Sequence, residues 1–190
     1  FTSAVSQALG SGIAPSAFIG SYVMAPIAIL NGGSEDQKKL YLPDVASGKI
    51  TFAVGFSEFI GARENCEIIF KDGKLNGRSI FVLDSSDASH IMVADKDGKI
   101  YIASMDSEGL TKNHLTTVDK TRSFSEVVFK EVEVELLEKS KDTLNPIQKS
   151  IDAGRVALAA DTLGAAQEMI NKAVEYSKER KQFGRVIGSF

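Results

Sequence analysis

Several residue types are scarce in this chain, and each scarcity excludes a class of site. Among its 190 residues there are no tryptophans, two histidines and one cysteine, Cys66. A single cysteine excludes an intramolecular disulfide and an all-cysteine metal site, so Cys66 is interpreted as a small, half-buried side chain. His90 and His114 lack the partner spacing of a zinc site or a catalytic triad. We therefore predict no metal site.

The sequence also has no excess of basic charge and no long apolar run. The net charge is -3 and the pI is near 5.5, whereas nucleic-acid binding normally requires a clustered basic surface. No apolar run reaches the ~18 residues of a membrane span, and the start has no basic signal-peptide region. With 43% hydrophobic and 25% charged residues, the composition is that of an ordinary globular protein. We expect a cytoplasmic protein with no nucleic-acid partner and no membrane span.

The first part of the sequence predicts helices. Helical spacing of apolar residues over residues 1–31 indicates two helices joined near Gly10 to Pro15, with a kink or restart at Pro26. Ser34 is expected to begin a further helix, because Gln37 three residues later completes a capping box.

The middle of the chain has the pattern of short β-strands. Lys71-Asp72-Gly73-Lys74 and Asp95-Lys96-Asp97-Gly98 are hairpin turn signals between strand-forming runs. The runs are residues 51–57, 67–70, 78–83, 90–94, 99–103 and 124–134. Short strands at this spacing predict an antiparallel barrel or sandwich.

A 3.6-residue period returns after Pro146 and predicts one long helix from about Gln148 to Phe183. Its length suggests packing in a bundle or across subunits, and Gly164 is among the small residues that keep one side thin. The fold class is therefore α+β: a helical segment, a β-barrel or sandwich, and a long helix. Because the chain begins with Phe1 and stops at Phe190 after a basic turn, we expect that both ends continue in a longer protein.

Four stretches of the sequence occur in an order that one family shares. They are residues 33–48, residues 75–82, residues 119–134, and residues 165–167 together with 176–190. Together they resemble the acyl-CoA dehydrogenases, in which the second stretch is close to Leu-Asn-Gly-Xaa-Lys-Xaa-Trp-Ile-Thr-Asn. The resemblance implies three parts: the end of an N-terminal helical domain (1–50), a middle β-barrel domain (51–140) and the start of a C-terminal four-helix domain (141–190).

The resemblance also implies a chemistry. Acyl-CoA dehydrogenases use FAD: a glutamate takes the α-proton of an acyl-CoA thioester while hydride leaves the β-carbon for the flavin. Electron-transferring flavoprotein then collects the electrons, and homo- or hetero-oligomers share FAD across subunits. The expected role is an oxidoreductase of fatty acid and lipid metabolism.

Two groups of residues correspond to the family's cofactor contacts. Ser57 retains a hydroxyl where the family has Thr-Glu-Pro-Xaa-Ala-Gly-Ser-Asp, although Phe59 replaces the proline, and the serine is either replaced by Arg63 or deleted. Phe81 and Leu83 take the first and last positions of Trp-Ile-Thr; Phe81 can stack on the flavin, but Leu83 cannot donate a hydrogen bond.

The helix end supplies a further cofactor contact. Arg180, Gln182 and Phe183 match the residues that contact the pyrophosphate and adenine side of FAD in a neighbouring subunit. The planar guanidinium of Arg180 suits phosphate because it can bind two oxygens.

The catalytic base is not found in the sequence. Most members of the family place it in a loop beyond the position of residue 190, and a minority place it one residue before an arginine on the long helix. In this chain that position is Gly154, which has no side chain to accept a proton. The resemblance implies that the next residue, Arg155, binds substrate. The alternative is a noncatalytic family member or structural subunit with a degenerate flavin pocket. Two features favour this alternative: the altered loop that begins at Ser57, and the leucine at position 83.

Overall fold

Helices surround a β-sheet in the order that the sequence predicts. The computed structural model describes residues 1–61, 67–141 and 143–190. The helices are α1 (Thr2–Ser11), a π-helix (Phe18–Met24), α2 (Ala25–Gly32), α3 (Glu35–Ala46) and α4 (Asn145–Glu179). The strands are β1 (Phe52–Gly55), β2 (Ile69–Lys71), β3 (Lys74–Leu83), β4 (His90–Ala94), β5 (Ile100–Ser104), β6 (Leu110–Leu115), β7 (Phe124–Glu133), β8 (Glu135–Leu136), β9 (Lys181–Gln182) and β10 (Arg185–Val186). This order confirms the α+β class.

The chain divides into two units. One is Pro15–Arg155, and the other combines Phe1–Ala14 with Val156–Phe190. The three-domain division at residues 50 and 140 stays a prediction about the longer protein.

In the unit Pro15–Arg155, the helix signals read from the sequence are confirmed. The backbone N–H of Gln37 donates to Ser34 Oγ at 3.3 Å, and the Ser34 N–H donates to Gln37 Oε1 at 3.0 Å, which completes the capping box. Pro26 lies in the first turn of α2, directly after the π-helix ends. The π-helix continues directly into α2, since the Ala25 N–H donates to Gly20 O, and Pro26, which has no N–H, lies where the helical hydrogen-bond pattern changes from π to α.

The sheet of this unit has the order β6-β7-β3-β1-β4-β5-β8, and β2 pairs with β3. All pairs in it are antiparallel except β1 with β4, which run parallel from Phe52 opposite His90 to Gly55 opposite Val93. The parallel pair is possible because β2 and β3 lie between these strands in sequence and provide the long crossover. In the described residues, β6 and β8 end the order without pairing to each other. The sheet is therefore not closed as a barrel, whereas the predicted sandwich is consistent with it.

Alternating residues of these strands form the core. Strand β7 shows the pattern best, since Ser125, Val127 and Phe129 are buried between residues that are less buried. The core cluster comprises Ala53, Ile68, Leu75, Val82, Ile91, Val93, Tyr101, Ala103, Val127, Phe129 and Val132. Each large apolar side chain buried in this way contributes about 1.5–3 kcal/mol, so the core fixes the register of β1 and β3.

The unit Phe1–Ala14 with Val156–Phe190 is built on a close approach of α1 to α4. A Cβ added at Gly10 would lie 1.9 Å from Asp161 O, and one at Gly164 would lie 2.0 Å from Gln7 O. The thin side predicted for the long helix at Gly164 is confirmed. The backbones approach here because neither glycine has a side chain.

The long helix α4 ends four residues earlier than the sequence predicts, at Glu179 instead of Phe183. Lys181–Gln182 instead pairs with Arg185–Val186 around Phe183 and Gly184, whose φ angles of 51° and 81° are those of a tight hairpin turn. None of the helices in the described ranges combines the length and hydropathy that crossing a membrane requires.

Candidate functional site

The pairing of β1 with β3 brings three of the candidate residues to one end of the sheet. Val54 lies opposite Leu83 in antiparallel register, so the residues after Val54 run alongside those before Leu83. A Cβ added at Gly55 would lie 2.6 Å from Ser79 Oγ, which shows how closely the strands approach. Ser57 follows β1 by two residues. Chain order and register therefore place it at the strand end where Phe81 lies.

Ser57 is buried without a hydrogen-bond partner. Its side chain is 1% exposed, and within the described residues its Oγ has no partner. The neighbouring Glu58 Oε1 is also buried and has no partner in the same residues. A buried polar group left unpaired costs about 1–3 kcal/mol, so native proteins nearly always provide a partner. The rim of a flavin ring, with its carbonyl and N–H groups, is a suitable partner for the Ser57 hydroxyl.

The stretch after Ser57 that corresponds to the family's cofactor loop is described as far as Gly61. Arg63 and Glu64 lie outside the described residues, as does Cys66. The proposed departure of Arg63 from the family's serine therefore stays a prediction.

A β-bulge presents Phe81. The pairing of β3 with β7 shifts register between Ser79 and Val82, and Phe81 within the shift has a φ of 56°. Bulges redirect side chains next to functional sites, and the Phe81 ring is 45% exposed. Leu83 is half-buried and aliphatic. Phe81 thus fits a stacking wall for a flavin, whereas Leu83 offers it no hydrogen bond.

Asp84, directly after Leu83, was missed by sequence reasoning. It is 4% exposed, and its Oδ2 accepts a hydrogen bond from the Gly20 N–H at 2.8 Å. Burial raises the pKa of the Asp84 carboxyl to about 6, although the Gly20 N–H and Arg122 act in the opposite direction. One signal could have found it, because the family string has asparagine at this position.

Asp84 also lines a cavity of about 310 Å³. The other lining residues are Pro15, Ser16, Ala17, Thr51, Ser86, Asp87, Ala88, His114, Thr117, Asp119, Lys120, Thr121, Arg122 and Ser123. Hydroxyls and charges of both signs therefore line the cavity beside the Asp84 carboxyl.

Gly154 packs against the π-helix. A Cβ added at Gly154 would lie 2.8 Å from Met24 Sδ and 2.9 Å from Met24 Cγ. Ser150 Oγ, one turn earlier, donates to Met24 O at 2.8 Å. Met24 therefore occupies the space that a side chain at residue 154 would need.

Arg155, the next residue, makes an ion pair on the surface. Its Nη1 lies 3.1 Å from Asp152 Oδ1, and both side chains are more than half exposed. Exposed ion pairs of this kind contribute little to stability because water and salt screen them. A substrate contact by Arg155 would therefore compete only with a weak existing interaction.

The three residues at the end of α4 share one hairpin in the unit that contains Val156–Phe190. The Arg180 N–H donates to Tyr176 O at 2.9 Å, and its carbonyl accepts from the Ile187 N–H at 2.8 Å. Gln182 donates its amide to Lys181 O, and the Phe183 ring at the turn is 93% exposed. The backbone thus fixes the turn, while its aromatic tip is open to a ligand or partner.

Comparison with known proteins agrees with the order of elements. Residues 144–190 match the sequence profile described as acyl-CoA dehydrogenase, C-terminal domain. The chain is 31% identical over 181 residues to an acyl-CoA dehydrogenase of Bacillus subtilis (strain 168), an alignment covering 85% of this chain and 48% of the relative. It is 28% identical to the caffeyl-CoA reductase-Etf complex subunit CarC of Acetobacterium woodii, covering 89% of this chain and 51% of the relative.

Solved structures show the same fold. A variant of the steroid ACAD Tcur3481-Tcur3483 matches with a TM-score of 0.83 at 26% identity, covering 100% of this chain and 52% of that one. A glutaryl-CoA dehydrogenase from Mycobacterium smegmatis, in complex with FADH2, matches with a TM-score of 0.76 at 21% identity, covering 88% and 48%. The latter supports the fold alone.

The order of helices, sheet and long helix and these similarities all indicate one family. The chain belongs to the acyl-CoA dehydrogenase family. It spans about half the length of the curated relatives it matches.

Proposed function

We propose that this chain forms part of an FAD-dependent acyl-CoA dehydrogenase, which introduces a double bond between the α and β carbons of an acyl-CoA thioester. The observation that carries the proposal is the buried, unpartnered Ser57 hydroxyl at the strand end that also presents Phe81. FAD, when bound, supplies the acceptor for the substrate hydride.

The chain's own residues have distinct roles in this proposal. Ser57 provides a hydrogen bond to the rim of the flavin ring, which satisfies a hydroxyl otherwise unpaired within the described residues. Phe81 covers one face of the ring and excludes water from it. Leu83 adds apolar surface without a hydrogen bond, so the flavin would be held less firmly here than by the hydroxyl of the family's threonine.

The hairpin after α4 is proposed to serve a second cofactor, in a neighbouring subunit. Arg180 would pair with the pyrophosphate, with Gln182 and Phe183 beside it, and Arg155 would contact substrate. A homo- or hetero-oligomer follows from such sharing. Electron-transferring flavoprotein is the proposed electron acceptor, and the name of the CarC relative, an Etf complex subunit, supports it.

The proton acceptor is not assigned to a described residue. Gly154 has no side chain, and Met24 lies where one would project. The family's commoner location, beyond the position of residue 190, therefore stays the prediction.

A second candidate function has its own support. Leu83 gives no hydrogen bond, and Met24 closes the alternative base position at Gly154. Both observations favour a noncatalytic subunit that lends Arg180 to a partner's FAD. This candidate differs from the first because it predicts no stable flavin on the isolated protein.

Replacing Ser57 tests the assigned flavin contact. We expect the purified protein to bind added FAD, and Ser57→Ala to weaken that binding about threefold to tenfold, the loss of one hydrogen bond. The measurement is quenching of flavin fluorescence on titration with protein.

Ser6→Ala is the matched control, because Ser6 on α1 is also buried with an Oγ that has no partner in the described residues. It should leave FAD affinity unchanged. Equal affinities of the Ser57→Ala variant and the unchanged protein would remove Ser57 from the site. No FAD binding without a second subunit would favour the noncatalytic candidate.

A further inference from the structure

The end of β3 has an unfavourable backbone conformation that its surroundings maintain. Phe81 and Asp84 have φ angles of 56° and 59°, in the left-handed region that costs free energy for residues with a Cβ. Such conformations persist only where neighbouring contacts over-determine them, and they cluster at functional sites. The contacts of Asp84 are therefore informative.

Asp84 is bonded to two other elements. Its backbone N–H donates to Ser123 O at 3.0 Å, before β7, and its Oδ2 accepts from Gly20 N at 2.8 Å, in the π-helix. A Cβ at Gly20 would lie 2.7 Å from Oδ2, so the carboxylate occupies the space that a side chain at residue 20 would need. The carboxylate and the glycine thus fit each other closely.

The π-helix is attached to the sheet at the next residue as well. The Phe52 N–H, at the start of β1, donates to Ser21 Oγ at 2.9 Å. Single π-helical turns are frequent at functional sites because they disrupt the regular helical hydrogen bonds. Consecutive residues of the π-helix therefore contact both strands that carry the candidate flavin residues.

We propose that Asp84 is a positioning residue whose carboxyl group, by accepting the bond from the Gly20 N–H, ties the π-helix to the end of β3 and so fixes the orientation of Phe81. That this orientation serves a flavin rests on the proposed function. The fixing of Phe81 itself does not.

The charge on Asp84 is expected to change in an accessible pH range. Burial sets the pKa of its carboxyl at about 6, against the opposing effects of the Gly20 N–H and Arg122. The titratable or charged groups that share its cavity are Asp87, His114, Asp119, Lys120 and Arg122, and the π-helix contributes none with a charge. Because burial raises this pKa, the folded protein holds the neutral carboxyl better than the charged one, so ionisation as the pH rises through about 6 weakens the attachment of the π-helix.

The absence of tryptophan permits a direct test. Phe81→Trp introduces a single indole, which reports the surroundings of residue 81 without any cofactor. Its acrylamide quenching is measured across pH in five backgrounds: unchanged, Asp84→Asn, Asp84→Ala, Asp87→Asn and His114→Gln, of which the last should retain the transition. The His114→Gln background removes the one histidine that lines the cavity.

We expect quenching of the introduced indole to increase as pH rises, with a midpoint near the Asp84 pKa of about 6, because ionising the buried carboxyl is unfavourable. Asp84→Asn should abolish this transition and stay at the acidic value, because its amide is a neutral acceptor at every pH. Asp87→Asn, a change of another carboxylate that lines the same cavity, should retain the transition. Asp84→Ala, which removes the acceptor of the bond from Gly20, should raise quenching above the level of Asp84→Asn.

A transition that survives Asp84→Asn, or no transition in the Phe81→Trp protein without further changes, would overturn the proposal. If Asp84→Ala fails to fold, the comparison between the Phe81→Trp protein and its Asp84→Asn variant still tests the proposal. FAD titration of the same variants is a separate readout: loss of the indole transition without loss of FAD affinity would confirm the positioning role and contradict its link to the flavin.

Discussion

Gly77→Ala is expected to lower the free energy of unfolding by roughly 3 kcal/mol or more, the upper range for overpacking. Gly77 has a φ of 112°, and an added Cβ would lie 1.8 Å from Glu67 O and 2.8 Å from Glu67 C. Backbone atoms cannot move aside without breaking the pairing of β2 with β3. Because β3 also carries Phe81 and Leu83, this glycine supports the strand on which the proposed flavin site depends. Urea unfolding measures the loss.

Gly73→Ala is the matched control for that experiment. Gly73 also has a positive φ, 83°, but nothing lies within 4 Å of an added Cβ. Gly73→Ala should lower the free energy of unfolding by only about 1–2 kcal/mol, the cost of placing a residue with a Cβ in the left-handed conformation. Equal losses at both positions would show that the close approach of residue 77 to Glu67 does not exist in solution.

Gly164→Ala is expected to release α1 from α4. The new Cβ would lie 2.0 Å from Gln7 O and 3.0 Å from Ser11 N, which outweighs the ~1 kcal/mol that alanine gains over glycine in a helix. We expect amide hydrogen exchange in α1 to accelerate roughly a hundredfold, since each factor of ten corresponds to about 1.4 kcal/mol of local opening free energy. Mass spectrometry of peptides from residues 1–14 measures this.

Gly12→Ala is the control for the glycine-to-alanine change itself, because it adds a Cβ without a steric clash. Gly12 caps the end of α1, and an added Cβ there would meet only Leu9 O and Ala8 O, at 3.7 and 3.8 Å. Exchange in α1 should remain close to that of the unchanged protein. If Gly164→Ala also left exchange in α1 unchanged, the close contact of the two helices would be wrong.

Local chemistry explains which elements could be predicted from the sequence. The Ser34–Gln37 capping box and the alternation along β7 depend on neighbours within a few residues. Strand β6 was missed because none of its residues is buried and its central residues are polar, so no alternation marks it. It is a strand only because it pairs with β7, which sequence pattern alone does not reveal.

Other features depended on contacts between distant residues. The parallel pairing of β1 with β4 follows from the order of the whole sheet. The helix α4 ends at Glu179 because the chain then forms a hairpin with a positive φ at Phe183. Such a φ normally favours glycine, so a phenylalanine within a helical period gave no sign of the turn.

The sequence predicted which residues form the candidate site better than it predicted the contacts around them. Resemblance to the family identified Ser57, Phe81 and Leu83, and register places them at one strand end. The packing of Met24 against Gly154 and the bond from Gly20 to Asp84 join residues more than 60 positions apart, so spacing gave no indication of them. The phosphate role of Arg180 stays a prediction.

The most direct test of the proposed function is anaerobic addition of acyl-CoA to the complete protein of which this chain is proposed to form part, purified and reconstituted with FAD. We predict that the visible flavin absorption band appears on reconstitution and is bleached by the thioester, because hydride passes from substrate to flavin. A protein that stays colourless with FAD, or whose flavin band is unchanged by acyl-CoA thioesters of short, long and branched chains, would contradict the account.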